Sequence, residues 1–178
     1  CGVVPPYVES VDEVKDLVGA VKLRPLKGKR FRDVIYDNQK LDSELQKYID
    51  GFCRDNILII NIESKPAVDN LDELLSIPGI DGILIGPHDL SSSLGIPEQF
   101  DEPLFDETVR KIIKKARERD TGVGIHFWSG LDKETAWVKA GANLIIHSSD
   151  DNIFAQGLRN DIKAIKESVG DRTDTQFD

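Results

Sequence analysis

Two acidic residues stand where parallel α/β proteins do their chemistry. Glu63 closes the apolar run Ile59-Ile60-Asn61-Ile62-Glu63, and Asp89 closes Ile83-Leu84-Ile85-Gly86-Pro87-His88-Asp89. In such folds the active site lies beyond the carboxyl ends of the strands. The two runs belong to consecutive strand–helix units, so their strands are expected side by side, ~4.8 Å apart. Their terminal side chains can then reach one small cation. Two carboxylates, completed by water and a chelating substrate, commonly hold Mg²⁺ or Mn²⁺. A single strand-end acid more often just caps the next helix. Two acids on neighbouring strands, one of them inside Gly86-Pro-His-Asp-Leu-Ser91, shift the reading toward a metal site.

Other residues offer weaker chemistry. His88 sits between Pro87 and Asp89, where it can touch substrate or shape the loop. His126 and His147 end later strands and can face the same rim, although a strand-end histidine is more often hydrogen-bonded core. Lys22, Arg24, Lys27, Lys29, Arg30 and Arg32 crowd one segment. That cluster could draw in an anionic substrate, but a solvated basic loop or a subunit contact is the better reading. Ser91-Ser-Ser93 reads as a helix cap and loop, with no His–Asp partnership to activate a nucleophile. Cys53 reads as core.

Five strand–helix units are needed to position these groups. Strands are expected at Gly2–Val8, Ile57–Ile62, Gly82–Ile85, Val123–Phe127 and Asn143–Ile146. The first helix opens on Ser10-Val-Asp-Glu13, a capping box, and places Val11, Val14, Leu17, Val18 and Val21 on one face. A second starts near Pro66, favoured in a first turn, and buries Ala67, Leu71, Leu74 and Leu75. The segment after Ile85 reads as a loop rich in Ser, Gly and Pro. A helix then runs from Pro103 to Arg119, with Phe105, Val109, Ile112, Ile113 and Ala116 as its apolar stripe. Further helices are expected over 132–140 and 152–167. Residues 24–56 form a long connection with one helix at 41–52. Regular βα alternation means a parallel sheet with helices outside it. The sheet could be a five-stranded flavodoxin-like one, or five of the eight units of a (β/α)8 TIM barrel.

Composition narrows the partners. The chain has 178 residues, 39% of them hydrophobic, enough for one core-bearing domain. We place that domain at residues 1–169 and a fraying tail at 170–178. A net charge of −9 argues against general nucleic-acid binding. No apolar run approaches the ~18 residues of a membrane span. Two cysteines without zinc spacing make no disulfide framework. A cytoplasmic protein with a small-molecule partner is the expectation. The chain opens on Cys1-Gly2 and contains no Met, so further sequence is expected upstream.

Six segments resemble the HpcH/HpaI aldolase family, the metal-dependent class II pyruvate aldolases of the phosphoenolpyruvate/pyruvate-binding barrel group. They are Pro6-Tyr-Val-Glu-Ser10, Ile62-Glu63, Ala67-Val-Asp-Asn-Leu71, Gly79-Ile-Asp-Gly82, Gly86-Pro-His-Asp-Leu-Ser91 and Gly141-Ala-Asn-Leu144. The resemblance runs over nearly the whole chain, and the ordered pair Ile-Glu and Gly-Pro-x-Asp-Leu-Ser is its specific part. It implies a barrel of which this chain carries strands four to eight. It implies that Glu63 and Asp89 ligate a divalent cation (Mg, Mn or Co). It implies that backbone N–H groups around His88 and Asp89 bind the substrate carboxylate, with Asn61 close by where the family often has Gln. The implied substrate is a 4-hydroxy-2-oxo acid, cleaved to pyruvate and an aldehyde through an enolate that the cation stabilises. The family's catalytic His and Arg are implied on three βα units upstream of Cys1, so no catalytic acid–base residue is assigned here. A trimer or hexamer is the implied assembly. Without the upstream units, two open strand edges would invite aggregation. The alternatives are a related lyase acting on another enolate or a CoA thioester, and a truncated inactive fragment. A flavodoxin-like nucleotide binder is disfavoured, because Glu9-Ser10 follows the first strand without a glycine-rich phosphate loop.

Overall fold

The computed structural model describes residues 1–128 and 130–171. They form two compact units, Cys1–Ile146 and a second from His147 onward. Most of the expected tail, 172–178, lies outside the described residues.

Five strands make one sheet in the order β1-β2-β3-β4-β5. They are β1 (Gly2–Val3), β2 (Ile57–Ile62), β3 (Gly82–Ile85), β4 (Gly122–Phe127) and β5 (Leu144–His147). The pairs β1–β2, β2–β3 and β3–β4 are parallel. A flavodoxin-like sheet places its first strand inside the order, as 2-1-3-4-5. Here spatial order follows chain order, which is the arrangement within an arc of a (β/α)8 barrel. Between the two architectures left open by the sequence, the topology favours the barrel-like one.

The capping box at α1 (Val11–Lys22) forms as expected. Ser10 accepts from the Glu13 N–H, and the Glu13 side chain accepts from the Ser10 N–H. Val14, Val18 and Val21 are its buried face. In the long connection, α2 (Gly28–Ile35) and α3 (Ser43–Cys53) close a small separate cluster of Leu26, Ile49 and Cys53. Only α3 was expected. α2 has no buried residue, so its strongly basic sequence reads as loop.

The main core lies between the sheet and α1, α4 (Lys65–Asp69), α5 (Leu71–Leu74), α6 (Pro87–Ser93), α7 (Pro103–Glu118) and α8 (Leu131–Ala140). All five apolar residues expected on α7 are fully buried. Phe105 and Phe127 pack edge-on against Trp137, whose ring N–H donates to Asp106. Burial works to raise the Asp106 carboxyl, but its hydrogen bonds from Arg110 and Trp137 outweigh this and hold it below the usual range. In the second unit, α9 (Asp150–Val169) has no buried residue and ends on Gly170 in the left-handed conformation.

Two local expectations are corrected. β1 stops at Val3, because Pro5 and Pro6 have no N–H to give a ladder. The chain nevertheless stays beside β2, where Asn61 donates to the Pro5 carbonyl at 3.1 Å. The Ser/Gly/Pro-rich segment after β3 is the helix α6, with Pro87 in its first turn and Ser91–Ser93 in its last. Proline suits a first turn because that N–H would be unbonded in any case. Among the described residues, no helix is long and apolar enough to cross a membrane.

Candidate active site

Alternation along β2 sends Leu58, Ile60 and Ile62 into the core and Asn61 and Glu63 to the opposite face. Glu63 is only 4% exposed, although it follows the last strand residue. Its carboxylate is held on both oxygens. The Tyr7 N–H donates to Oε1 at 2.7 Å, and Asn61 Nδ2 donates to Oε2 at 3.1 Å. Asn61 Oδ1 is buried and has no hydrogen-bond partner.

The parallel register pairs Ile62 with Ile85 and Ile85 with Ile125. One residue further on, Glu63, Gly86 and His126 share a level across the sheet. The glycine in that row matters, because a Cβ at Gly86 would lie 2.4 Å from Glu63 Oε2. The Glu63 carboxylate therefore occupies the space a side chain at 86 would need.

Asp89 arrives from the neighbouring strand, in the first turn of α6. Tyr7 joins it to Glu63. The phenol donates to Asp89 Oδ1 at 2.5 Å, while the N–H of the same residue holds Glu63. Tyr7 does this with φ at 50°, a left-handed conformation unusual for a bulky side chain. The hydrogen bond to Asp89, partial desolvation and the charges of Asp89, Glu63 and Glu9 raise the phenol above its ordinary value. It therefore stays a donor at neutral pH. No separate role for Tyr7 is legible in the sequence. Its only signal was a tyrosine directly after two prolines, on the rim side of the first strand.

His88 turns to other partners. Its Nδ1 lies 3.2 Å from Glu98, and its ring stacks on Trp128 with centroids 4.5 Å apart. Trp128 also meets the edge of His126. Phe127 is core. His147 is the last residue of β5. Three of the six basic residues are ion-paired: Lys22 with Asp81, Lys29 with Asp33 and Arg30 with Asp42. Arg24 lies over the Phe52 ring. This supports the structural reading of that segment.

The family profile of HpcH/HpaI aldolase/citrate lyase matches residues 1–156. The chain belongs to this family. The family is one of aldolases and lyases, and the resemblance read from the sequence holds over this span. The 2-keto-3-deoxy-L-rhamnonate aldolase of Escherichia coli O1:K1 is 29% identical over 157 residues, covering 86% of this chain and 57% of that protein. The chain thus spans little more than half the length of such curated relatives. Among solved structures, an HpcH/HpaI aldolase from Desulfitobacterium hafniense DCB-2 superposes with a TM-score of 0.74 at 24% identity, over 93% of this chain and 64% of that one. Citrate synthase SbnG gives 0.74 at 21%, over 95% and 64%. At these identities the structural likeness carries the fold alone.

The residues of this family member suit a hard divalent cation. Glu63 and Asp89 offer carboxylate oxygens, and Asn61 Oδ1 is an orphaned acceptor beside one of them. A carboxylate has about four lone-pair positions. Glu63 uses two in the hydrogen bonds above and Asp89 uses one, so both keep capacity for an ion. Among the described residues no group of three or more His, Cys, Asp or Glu could hold a metal. Mg²⁺-type sites tolerate this, because water and substrate complete the shell.

Proposed function

We propose that the protein is a divalent-metal-dependent carbon–carbon lyase that cleaves a 4-hydroxy-2-oxo acid to pyruvate and an aldehyde. One observation carries the reading: Glu63 and Asp89, from adjacent units, are joined through a single residue at the carboxyl ends of the strands. Family membership supplies the reaction class, and the related rhamnonate aldolase is named for a 2-keto acid.

Glu63 and Asp89 would hold Mg²⁺, Mn²⁺ or Co²⁺, hard-oxygen ions among which this donor set does not discriminate strongly. The cation, when bound, supplies charge stabilisation for the enolate that carbon–carbon cleavage produces. The protein's own groups do the rest. Glu63 is fixed by two donors in a nearly dry position. The first turn of α6, which has no side-chain cap, offers the N–H groups of His88 and Asp89 to the substrate carboxylate. Asn61 orients Glu63 through its amide N–H and would stand close to the substrate. The assembly proposed for the protein is a homo-oligomer, and neither nucleic acid nor membrane enters this reading.

Incubation with a panel of 4-hydroxy-2-oxo acids and Mn²⁺, with pyruvate measured, tests the proposal. Pyruvate release that stops on chelation and returns with Mg²⁺, Mn²⁺ or Co²⁺ is expected. Pyruvate release at an unchanged rate in excess chelator would overturn the metal-dependent reading.

A further inference from the structure

We propose that Tyr7 is a positioning residue of the cation site, setting the two carboxylates before the ion arrives. This rests on the metal reading above and adds a residue to it. Three observations lead here. Tyr7 is 57% exposed, so its ring does little for the core. Its backbone is nevertheless held at φ 50°, a conformation that a bulky residue keeps only when its surroundings fix it. The contacts that fix it are one hydrogen bond to each site carboxylate, 2.7 Å to Glu63 and 2.5 Å to Asp89.

A purely structural strap would not need both bonds to end on the same acidic pair. Two like charges brought together repel each other and swing apart unless donors restrain them. Tyr7 supplies one donor to each from a single rigid unit. It leaves the second oxygen of Asp89 and further lone pairs of Glu63 turned to other partners. Hydrogen bonds to metal ligands from surrounding groups orient those ligands, and their loss typically weakens metal affinity 10–100-fold. The phenol acts through Asp89 and the backbone N–H acts through Glu63. The backbone share therefore survives any side-chain substitution, and the phenol share does not.

Mn²⁺ titration of the whole chain, without any activity assay, separates these parts. Tyr7→Phe is expected to lower Mn²⁺ affinity about 10-fold with an unchanged circular dichroism spectrum. Tyr7→Gly, which suits positive φ and keeps the N–H, is expected to show the same loss. In an Asp89→Ala background, Tyr7→Phe is expected to cost nothing more, because the phenol then has no carboxylate to hold. Wild-type affinity in both Tyr7 variants would overturn the proposal. So would a full second 10-fold loss in the Asp89→Ala background. If wild-type protein does not bind Mn²⁺, or binds it equally well as Glu63→Gln and Asp89→Asn, the metal reading itself falls and takes this inference with it. That result is distinct from a neutral Tyr7→Phe in a chain that binds the ion.

Discussion

Replacing Gly86 with alanine is expected to reduce Mn²⁺ affinity by about 100-fold, with a local shift of the backbone after β2 and a modest loss of stability. The added Cβ would meet Glu63 Oε2 at 2.4 Å and Glu63 Cβ at 2.9 Å. The backbone at Gly86 is extended, with φ −91° and ψ 98°, so alanine is not strained there. The penalty therefore falls on Glu63, whose Cβ can yield only with the backbone that follows β2. Its carboxylate is the movable part and must swing away. In moving, it leaves the Tyr7 N–H and Asn61 Nδ2 that hold it. One methyl group thus disperses a ligand, its two donors and the space a cation would share. Mn²⁺ titration with a parallel urea melt checks this. An unchanged affinity would mean that the observed Glu63 position is not the one that matters.

Trp137→Ala is expected to cost about 4 kcal/mol of stability. Trp137 is fully buried between Phe105 and Phe127, with ring centroids at 6.2 and 4.9 Å. Its ring N–H also donates to Asp106 at 2.8 Å. Truncation empties the volume between α7, α8 and β4 and takes away a donor that steadies the Asp106 carboxylate. A domain has only 5–15 kcal/mol to lose, so this change should bring the unfolding midpoint close to assay temperature. Trp137→Phe refills part of the cavity and should recover about half. A urea denaturation series on the three proteins measures both values. A loss below about 1 kcal/mol would show that this aromatic cluster is not central to the core.

Much of this arrangement was legible in the residues. β2 and β3 were read at their observed bounds because near-continuous apolar runs suit strands buried in a parallel sheet. The Ser10–Glu13 box located α1, and the stripe from Phe105 to Ala116 located α7. Strand order was not legible. Nothing in the local pattern distinguishes sequential pairing from a flavodoxin-like order, and the paired register resolved it. The helical state of Pro87–Ser93 was hidden because proline, glycine and serine favour turns and first helical turns alike. At the candidate site, Glu63 and Asp89 were legible as acids just beyond consecutive strands, and Asn61 only through the family resemblance. Tyr7 and Gly86 were not legible. Their contributions depend on a backbone turn and on an empty volume, and neither has a signature in residue type. His88 lies beside Asp89 in sequence, yet its ring nitrogen pairs with Glu98, since neighbouring residues on a helix point in different directions.

The central claim is that Glu63 and Asp89 hold one divalent cation. It is tested most directly by Mn²⁺ titration, with and without oxalate as a planar enolate mimic, on the wild-type chain and on Glu63→Gln and Asp89→Asn. The account predicts that wild type binds one Mn²⁺ and that oxalate tightens it. It also predicts that each substitution weakens Mn²⁺ by at least about 100-fold and abolishes oxalate binding. Equal Mn²⁺ affinity in all three proteins would contradict it.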